Sequence, residues 1–360
     1  MKDVLRRVHR IASLACIALW LVQAATGLLL VFHWEADDAL LGGGTAPLDT
    51  ASIADRMLQL ERAEPGSRAS VLVTTGGAPD RFDVLLNRPD GSSDTVRIDG
   101  AGTVLREQAG FFHTVLALHK TLLQGSVGQT VIGISGILLL TNLIIGLRLA
   151  WPRRGQWWRA LRPQASHNAV AGLYAWHRAL GLWLGIPATL MVLLGVLMAF
   201  EVPVKAALGV TSPKLVAAPA EGHITAADAI RIAQARFPQA EFGWMMMPHG
   251  KDRPWYVVRF RQDGELRHKI GRTDVYVDAR TGDVLHERNA LRQPLPTRIF
   301  TAFYPLHTGE AGGIAGRIFV QLIAIWLLGM MGLGFSLWLE RRRSSRALRM
   351  RQPAPAAPSS

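Results

Sequence analysis

Two stretches decide the fold: HRIASLACIALWLVQAATGLLLVF from His9 to Phe32, and HRALGLWLGIPATLMVLLGVLMAF from His177 to Phe200. Each opens on His-Arg and continues as an uncharged run of 22 residues. Offset by 168 positions, the two regions agree at Leu5/Leu173, His9/His177, Arg10/Arg178, Leu14/Leu182, Gly27/Gly195, Leu29/Leu197 and Phe32/Phe200. A second correspondence, at an offset of 188, joins Leu118/Leu306, His119/His307, Gly125/Gly313, Gly128/Gly316, Gly146/Gly334, Arg153/Arg341 and Arg154/Arg342. Two further apolar runs accompany them, Thr121 to Leu147 with 27 uncharged residues and Ile318 to Leu339 with 22. About 20 helical residues span a hydrocarbon core of roughly 30 Å, so all four are long enough to cross. The first run exceeds the h-region of a signal peptide, about 7–15 residues, and no A-x-A site follows it, so it reads as a retained helix.

Charge sets the expected orientation. The segments before Ile11, from Arg148 to Arg178 and after Leu339 hold 16 Lys/Arg against two acids, Asp3 and Glu340. The loop from Glu35 to Glu107 has 13 acids and 7 Arg, and that from Glu201 to Glu310 has 12 acids and 15 basic residues. Basic short segments stay in the cytoplasm, which places both termini inside and both long loops outside. Trp34, Trp151, Trp157, Trp158, Trp176 and Trp338 lie near span ends, as an interfacial belt requires. The formal charge of +13 is thus a cytoplasmic rim facing anionic headgroups and calls for no nucleic acid. The single cysteine, Cys16, excludes an intrachain disulfide, a Cys-held iron–sulfur cluster and a thioether haem attachment.

Each outside loop begins with a helical signal, TASIADRMLQLE from Thr50 and ITAADAIRIAQARF from Ile224, the second with Thr225 placed as N-cap and Asp228 three residues on. Alternating stretches follow, RFDVLLN from Arg81 and WYVVRF from Trp255, and each loop closes on a hairpin, VRIDGAGTVL from Val96 and VYVDARTGDVL from Val275. The expected architecture is an α-helical membrane bundle of four transmembrane helices with an internal parallel duplication, plus two outside α+β domains. Its segments are 1–34 (N-terminus and first span), 35–110 (first outside domain), 111–151 (second span), 152–176 (inner loop), 177–201 (third span), 202–305 (second outside domain), 306–340 (fourth span) and 341–360 (a disordered cytoplasmic tail).

Bis-imidazole haem ligation needs two neutral histidines on opposed helices. His9 and His177 meet that need at the inner ends of spans one and three. His119 and His307 do so at the outer ends of spans two and four. His33 and His113 lie on the outer side as alternates, since ligands need not obey the repeat. His167 reads as solvated, and His223, His249, His268 and His286 mostly as surface residues. Met245, Met246 and Met247 would alternate between faces of a strand, so they pack rather than gather on copper.

The H-R-x-x-x-L starts, the L-H…G-x-x-G approaches to spans two and four, the R-R exits and the V-x-V-D…G-x-V-L hairpins resemble the PepSY-associated transmembrane family. That family includes bacterial inner-membrane siderophore–iron reductases and iron-regulated membrane proteins. The resemblance implies two periplasmic PepSY-like domains, haem b held by histidines, and reduction of ferric iron in siderophore chelates. It points to an inner-membrane oxidoreductase carrying two non-covalent haems b. On that expectation the electron donor would be a cytoplasmic flavin reductase or quinol, the substrate a ferric siderophore, and further partners a periplasmic siderophore-binding protein or an ABC transporter. Two other readings compete: a non-redox PepSY binding module anchored by its helices, and a haem or metallosiderophore permease.

Overall fold

Four long apolar helices form the frame: α1 (Lys2–Leu30), α5 (Gly125–Ala150), α7 (Ala169–Ala199) and α11 (Gly313–Arg351). By length and hydropathy all four can span a membrane. The computed structural model describes residues 1–351 apart from 165, 217–221 and 251. α1 and α7 each pack against both α5 and α11, which puts α1 and α7 on one diagonal of the bundle. Ala24, Ala188, Ile323, Trp326 and Leu327 fill its centre. The N-terminus, the C-terminal end of α11 and the loop bearing α6 (Trp157–Leu161) lie at one end, the tail end, and every strand among the described residues lies at the other.

The remaining elements are α2 (His33–Leu41), α3 (Thr50–Ala63), β1 (Arg68–Thr74), β2 (Arg81–Asn87), β3 (Ser93–Asp99), β4 (Val104–Arg106) and α4 (Phe111–Thr121), then α8 (Glu201–Leu208), α9 (Ala226–Arg236), β5 (Glu241–Met246), β6 (Trp255–Arg261), β7 (Thr273–Asp278), β8 (Val284–Arg288) and α10 (Leu295–His307). The two groups of four strands do not form separate sheets. β1 pairs antiparallel with β5 through Val71↔Met246, Leu72↔Met245 and Val73↔Trp244, which makes one eight-stranded sheet in the order β4-β3-β2-β1-β5-β6-β7-β8.

Period-two alternation divides this sheet into two unlike faces. One carries Leu72, Phe82, Val84, Ile98, Met245, Val258, Phe260, Val275 and Val277, buried against Ile53 and Met57 of α3 and Ala229, Ile230 and Ala233 of α9. The other carries charges. Arg97 reaches Asp37, Asp38 and Asp83, Arg81 reaches Asp38, and Arg106 reaches Asp37. Farther along the same face Asp274 binds Arg259 and Arg288. Met245 and Met247 lie in the apolar core, so the methionine run packs as strand alternation requires. The capping box of Thr225 and Asp228 starts α9, and Asp99 and Asp278 accept backbone N–H bonds in the two hairpin turns.

Two expectations need correction. The run from Thr121 to Leu147 is not one helix: α4 ends at Thr121, Leu122 and Leu123 take left-handed φ values of 49° and 62°, and α5 starts at Gly125. Left-handed backbone costs an ordinary residue roughly 1–2 kcal/mol, which the tight reversal must offset. A Cβ on Gly128 would lie 1.6 Å from the Thr121 carbonyl oxygen, and one on Gly316 would lie 2.3 Å from that of Gly309. The repeated glycines therefore let a turn fold onto the helix that follows it. The tail from 341 was expected to be disordered, but α11 continues to Arg351; the rest of that tail lies outside the described residues.

Candidate functional site: two histidine pairs

His9 on α1 and His177 on α7 face each other across the diagonal at the tail end, with ring centroids 6.4 Å apart and planes at 65°. They line a cavity of about 790 Å³. Two imidazoles on opposite sides of one metal, each nitrogen about 2.0 Å from it and each ring centre roughly 1.1 Å behind the nitrogen, have centroids about 6.2 Å apart. The pair therefore has the spacing of a bis-imidazole metal centre. Arg6, Arg7, Arg10, Arg178, Arg341 and Arg342 line the mouth of the cavity. Only Arg6 among them has an acidic partner, Asp3, among the described residues. Guanidinium groups so arranged suit the carboxylates of a haem's propionates.

Each of the four repeat-matched histidines is seated over a glycine of a neighbouring helix. An ideal Cβ would meet the imidazole Cε1 at 3.1 Å for Gly146 and His9, 3.4 Å for Gly334 and His177, 3.3 Å for Gly27 and His119, and 3.0 Å for Gly195 and His307. Alanine at Gly146, Gly27 or Gly195 would press on its ring, whereas alanine at Gly334 would only touch it. Gly27 lies on α1 as His9 does, but the ring over it is that of His119, at the other end of the bundle.

Hydrogen bonds fix the tautomer of three of these rings. His9 Nδ1–H is donated to the Asn142 carbonyl at 3.1 Å, and His307 Nδ1–H to the Met191 carbonyl at 3.0 Å. Thr26 Oγ1 already donates its proton to Val22 O at 2.7 Å, so it accepts from His119 Nδ1–H at 2.9 Å. In each case the Nε2 lone pair is left free, which is how metal-bound histidines are held. His177 Nδ1 is buried with no hydrogen-bond partner, a costly orphan in an otherwise satisfied region.

His119 and His307 form the second pair, at the sheet end. α4 packs on α1 and α5, and α10 packs on α7, so the pair enters from the helices preceding the second diagonal. Burial, and after it the charge of neighbouring His307, lowers the His119 pKa to about 4. Burial likewise lowers that of His307. Both rings are therefore neutral at physiological pH, the form that ligates a metal.

The alternates are not placed like these. His33 donates Nδ1–H to Leu30 of its own turn and packs against Trp34 and Phe112. His113 is exposed on α4, and its ring makes no hydrogen bond among the described residues. His268 is not a surface residue: it is 4% exposed, and burial, with Arg272 and Arg259, pushes its pKa down to about 2. Its ring packs on Tyr304, one turn before His307. No group of three or more His, Cys, Asp or Glu that could hold a bare ion occurs among the described residues. Two imidazoles suffice only where other donors complete the coordination, as the four nitrogens of a porphyrin do. The residues present fit haem.

Sequence reasoning missed Thr26, Asn142 and the Met191 carbonyl, because residues that orient a ligand carry no spacing signal. Gly146 and Gly334 were visible as a matched pair, and their agreement at an offset of 188 was the signal for the seat.

The profile of the PepSY-associated TM region matches residues 6–354. The chain belongs to that family. No curated protein matches it. The match to the PepSY-associated family runs through all four long helices and the sheet.

Proposed function

We propose that the chain conducts electrons across the inner membrane of a bacterium through two non-covalent b-type haems, one held by His9 and His177 and the other by His119 and His307. The observation that carries this is the repeated seat of four histidines, each over a glycine and two at either end of one bundle, with His9 and His177 facing each other. The bound haems supply one-electron chemistry at each end. The chain's residues do the rest. Asn142, Met191 and Thr26 hold three rings by Nδ1 and leave Nε2 free, the glycines leave room beside every ring, and the arginines lining the cavity would take up carboxylate charge.

In this reading the basic tail end is cytoplasmic and the sheet periplasmic, with the two four-strand groups being duplicated PepSY units joined at β1 and β5. Electrons enter from a flavin reductase or quinol at the His9/His177 end. They leave from the His119/His307 end to Fe(III) in a siderophore chelate. Hard oxygen donors hold Fe(II) more weakly than Fe(III), so one electron releases the metal. The choice of a ferric siderophore rests on the family resemblance.

The test is spectroscopic. Purified protein should show a b-type reduced α-band and release all its haem to acidified acetone, because Cys16 alone cannot form a thioether pair. Under anaerobic conditions a ferric siderophore should reoxidise the dithionite-reduced protein while a ferrous trap colours. The gallium chelate, equal in shape and charge, should not. A featureless visible spectrum despite ample haem supply would remove the conduit and favour an anchored PepSY binding module.

A further inference from the structure

The two histidine levels are far apart. Gly27, the seat of His119, follows His9 by 18 residues on α1, about 27 Å along the helix axis. Trp20 lies between them, about 16 Å beyond His9 and about 10 Å short of Gly27. It is 3% exposed, and its indole N–H is donated to Ser135 on α5, to the carbonyl at 3.3 Å and Oγ at 3.1 Å. Trp326 on α11 is 9% exposed, and its N–H is donated to the Leu180 carbonyl on α7 at 2.9 Å. Both rings line the cavity that holds His9 and His177.

Packing alone does not call for indoles here. Helices in a membrane associate through small and aliphatic side chains, and a buried indole adds a polar N–H that must be satisfied. Trp151, Trp158, Trp176 and Trp183, by contrast, are exposed on the bundle surface. The two buried indoles come from adjacent helices, and each is pinned by a hydrogen bond across the bundle.

We propose that Trp20 and Trp326 are the bridge through which electrons pass between the two histidine pairs. The inference rests on the two-haem reading. One electron leaves the inner centre and one arrives at the outer; the indoles gain and lose neither electron nor proton. Tunnelling falls off exponentially with the gap, and a conjugated ring lowers the barrier relative to an aliphatic side chain of similar bulk. Neither residue touches a reacting atom, so both are bridging residues rather than catalytic ones.

The test uses the full-length, haem-loaded protein with Trp20→Phe, Trp20→Leu, Trp326→Phe and Trp326→Leu. The readouts are haem content, the midpoint potential of each centre, and the rate at which the outer centre is reduced after the inner one is photoreduced. The phenylalanine variants should stay near the parent rate and the leucine variants should slow several-fold, with haem content and potentials unchanged. Leucine variants as fast as the parent would overturn the bridge, and so would loss of haem from both, which would assign the indoles to packing. Protein that binds no haem at all in its parent form would instead overturn the two-haem reading, and the bridge with it.

Discussion

His9 and His177 are 168 positions apart in the chain, yet their rings face one another at 6.4 Å across the bundle diagonal. Neither ring gets there by local structure. α5 and α11 each lie against both α1 and α7, so they set the distance between the two. Removing either imidazole should abolish the tail-end haem and leave the other. His177→Ala and His9→Ala are each expected to lose about half of the pyridine-haemochrome signal, whereas His33→Ala and His113→Ala should lose none. Full haem content in His177→Ala would contradict the pairing.

The glycine seats make a graded prediction. A Cβ on Gly195 or Gly146 would approach its imidazole to 3.0 or 3.1 Å, and one on Gly334 only to 3.4 Å. Gly195→Ala should therefore disturb the sheet-end centre more than Gly334→Ala disturbs the tail-end centre. Leucine at any of the four should displace the ring and empty that site alone. Electron paramagnetic resonance of the oxidised protein resolves the two centres, and equal perturbation of both by one substitution would refute the assignment of seats.

Thr26→Val keeps the shape of the side chain and removes the acceptor of His119 Nδ1–H. Losing an orienting partner of a metal-bound histidine typically costs roughly 10–100-fold in affinity. Titration of haem into apoprotein should show a loss of that order at one of two sites. An unchanged titration would mean that the hydroxyl does not orient His119.

The pH dependence of stability follows from His268. Burial first, then the nearby arginines, lowers its pKa from 6.5 to about 2 in the fold. The unfolded chain takes up a proton below pH 6.5, whereas the folded chain does not until near the lower value. The stabilising contribution is thus complete above pH 6.5 and is lost progressively as pH falls toward 2, by about 2 kcal/mol at pH 5. Thermal unfolding of haem-free protein at pH 7.5 and pH 5 should show a larger fall for the parent than for His268→Gln. Equal falls would show that His268 titrates normally.

Arg97 touches three carboxylates, those of Asp37, Asp38 and Asp83, and is 3% exposed. Arg97→Met leaves those acids buried without their shared cation, and breaking a buried network in this way costs about 3–5 kcal/mol. A denaturant midpoint shifted by no more than a surface pair's worth, about 1 kcal/mol or less, would contradict the network's role.

Much of this was legible in the sequence, and the limits have physical causes. The spans were visible because lipid demands long apolar runs, and the hairpins because Asp99 and Asp278 mark their turns. The four paired histidines were visible because they sit at matched positions. The seam was not visible: Leu72 and Met245 face each other only because β1 and β5 meet, and neither strand carries a mark of its partner. The break after Thr121 was hidden because Leu122 and Leu123 are apolar and read as helix. The burial of Arg97 and Asp38 carried no mark in the sequence, since burial is a property of the assembled sheet.

The seam between β1 and β5 also decides what the sheet shows at its margins. β1 has seven residues and β5 six, and both are used up in the middle, while the outermost strands, β4 and β8, have three and five. Unpaired strand edges recruit other chains, and short ones recruit them poorly. Cut between the two strand groups, either piece would present its longest sticky edge to its neighbours, as unsealed planks do at a broken joint. Each strand group therefore covers the edge that the other would otherwise expose.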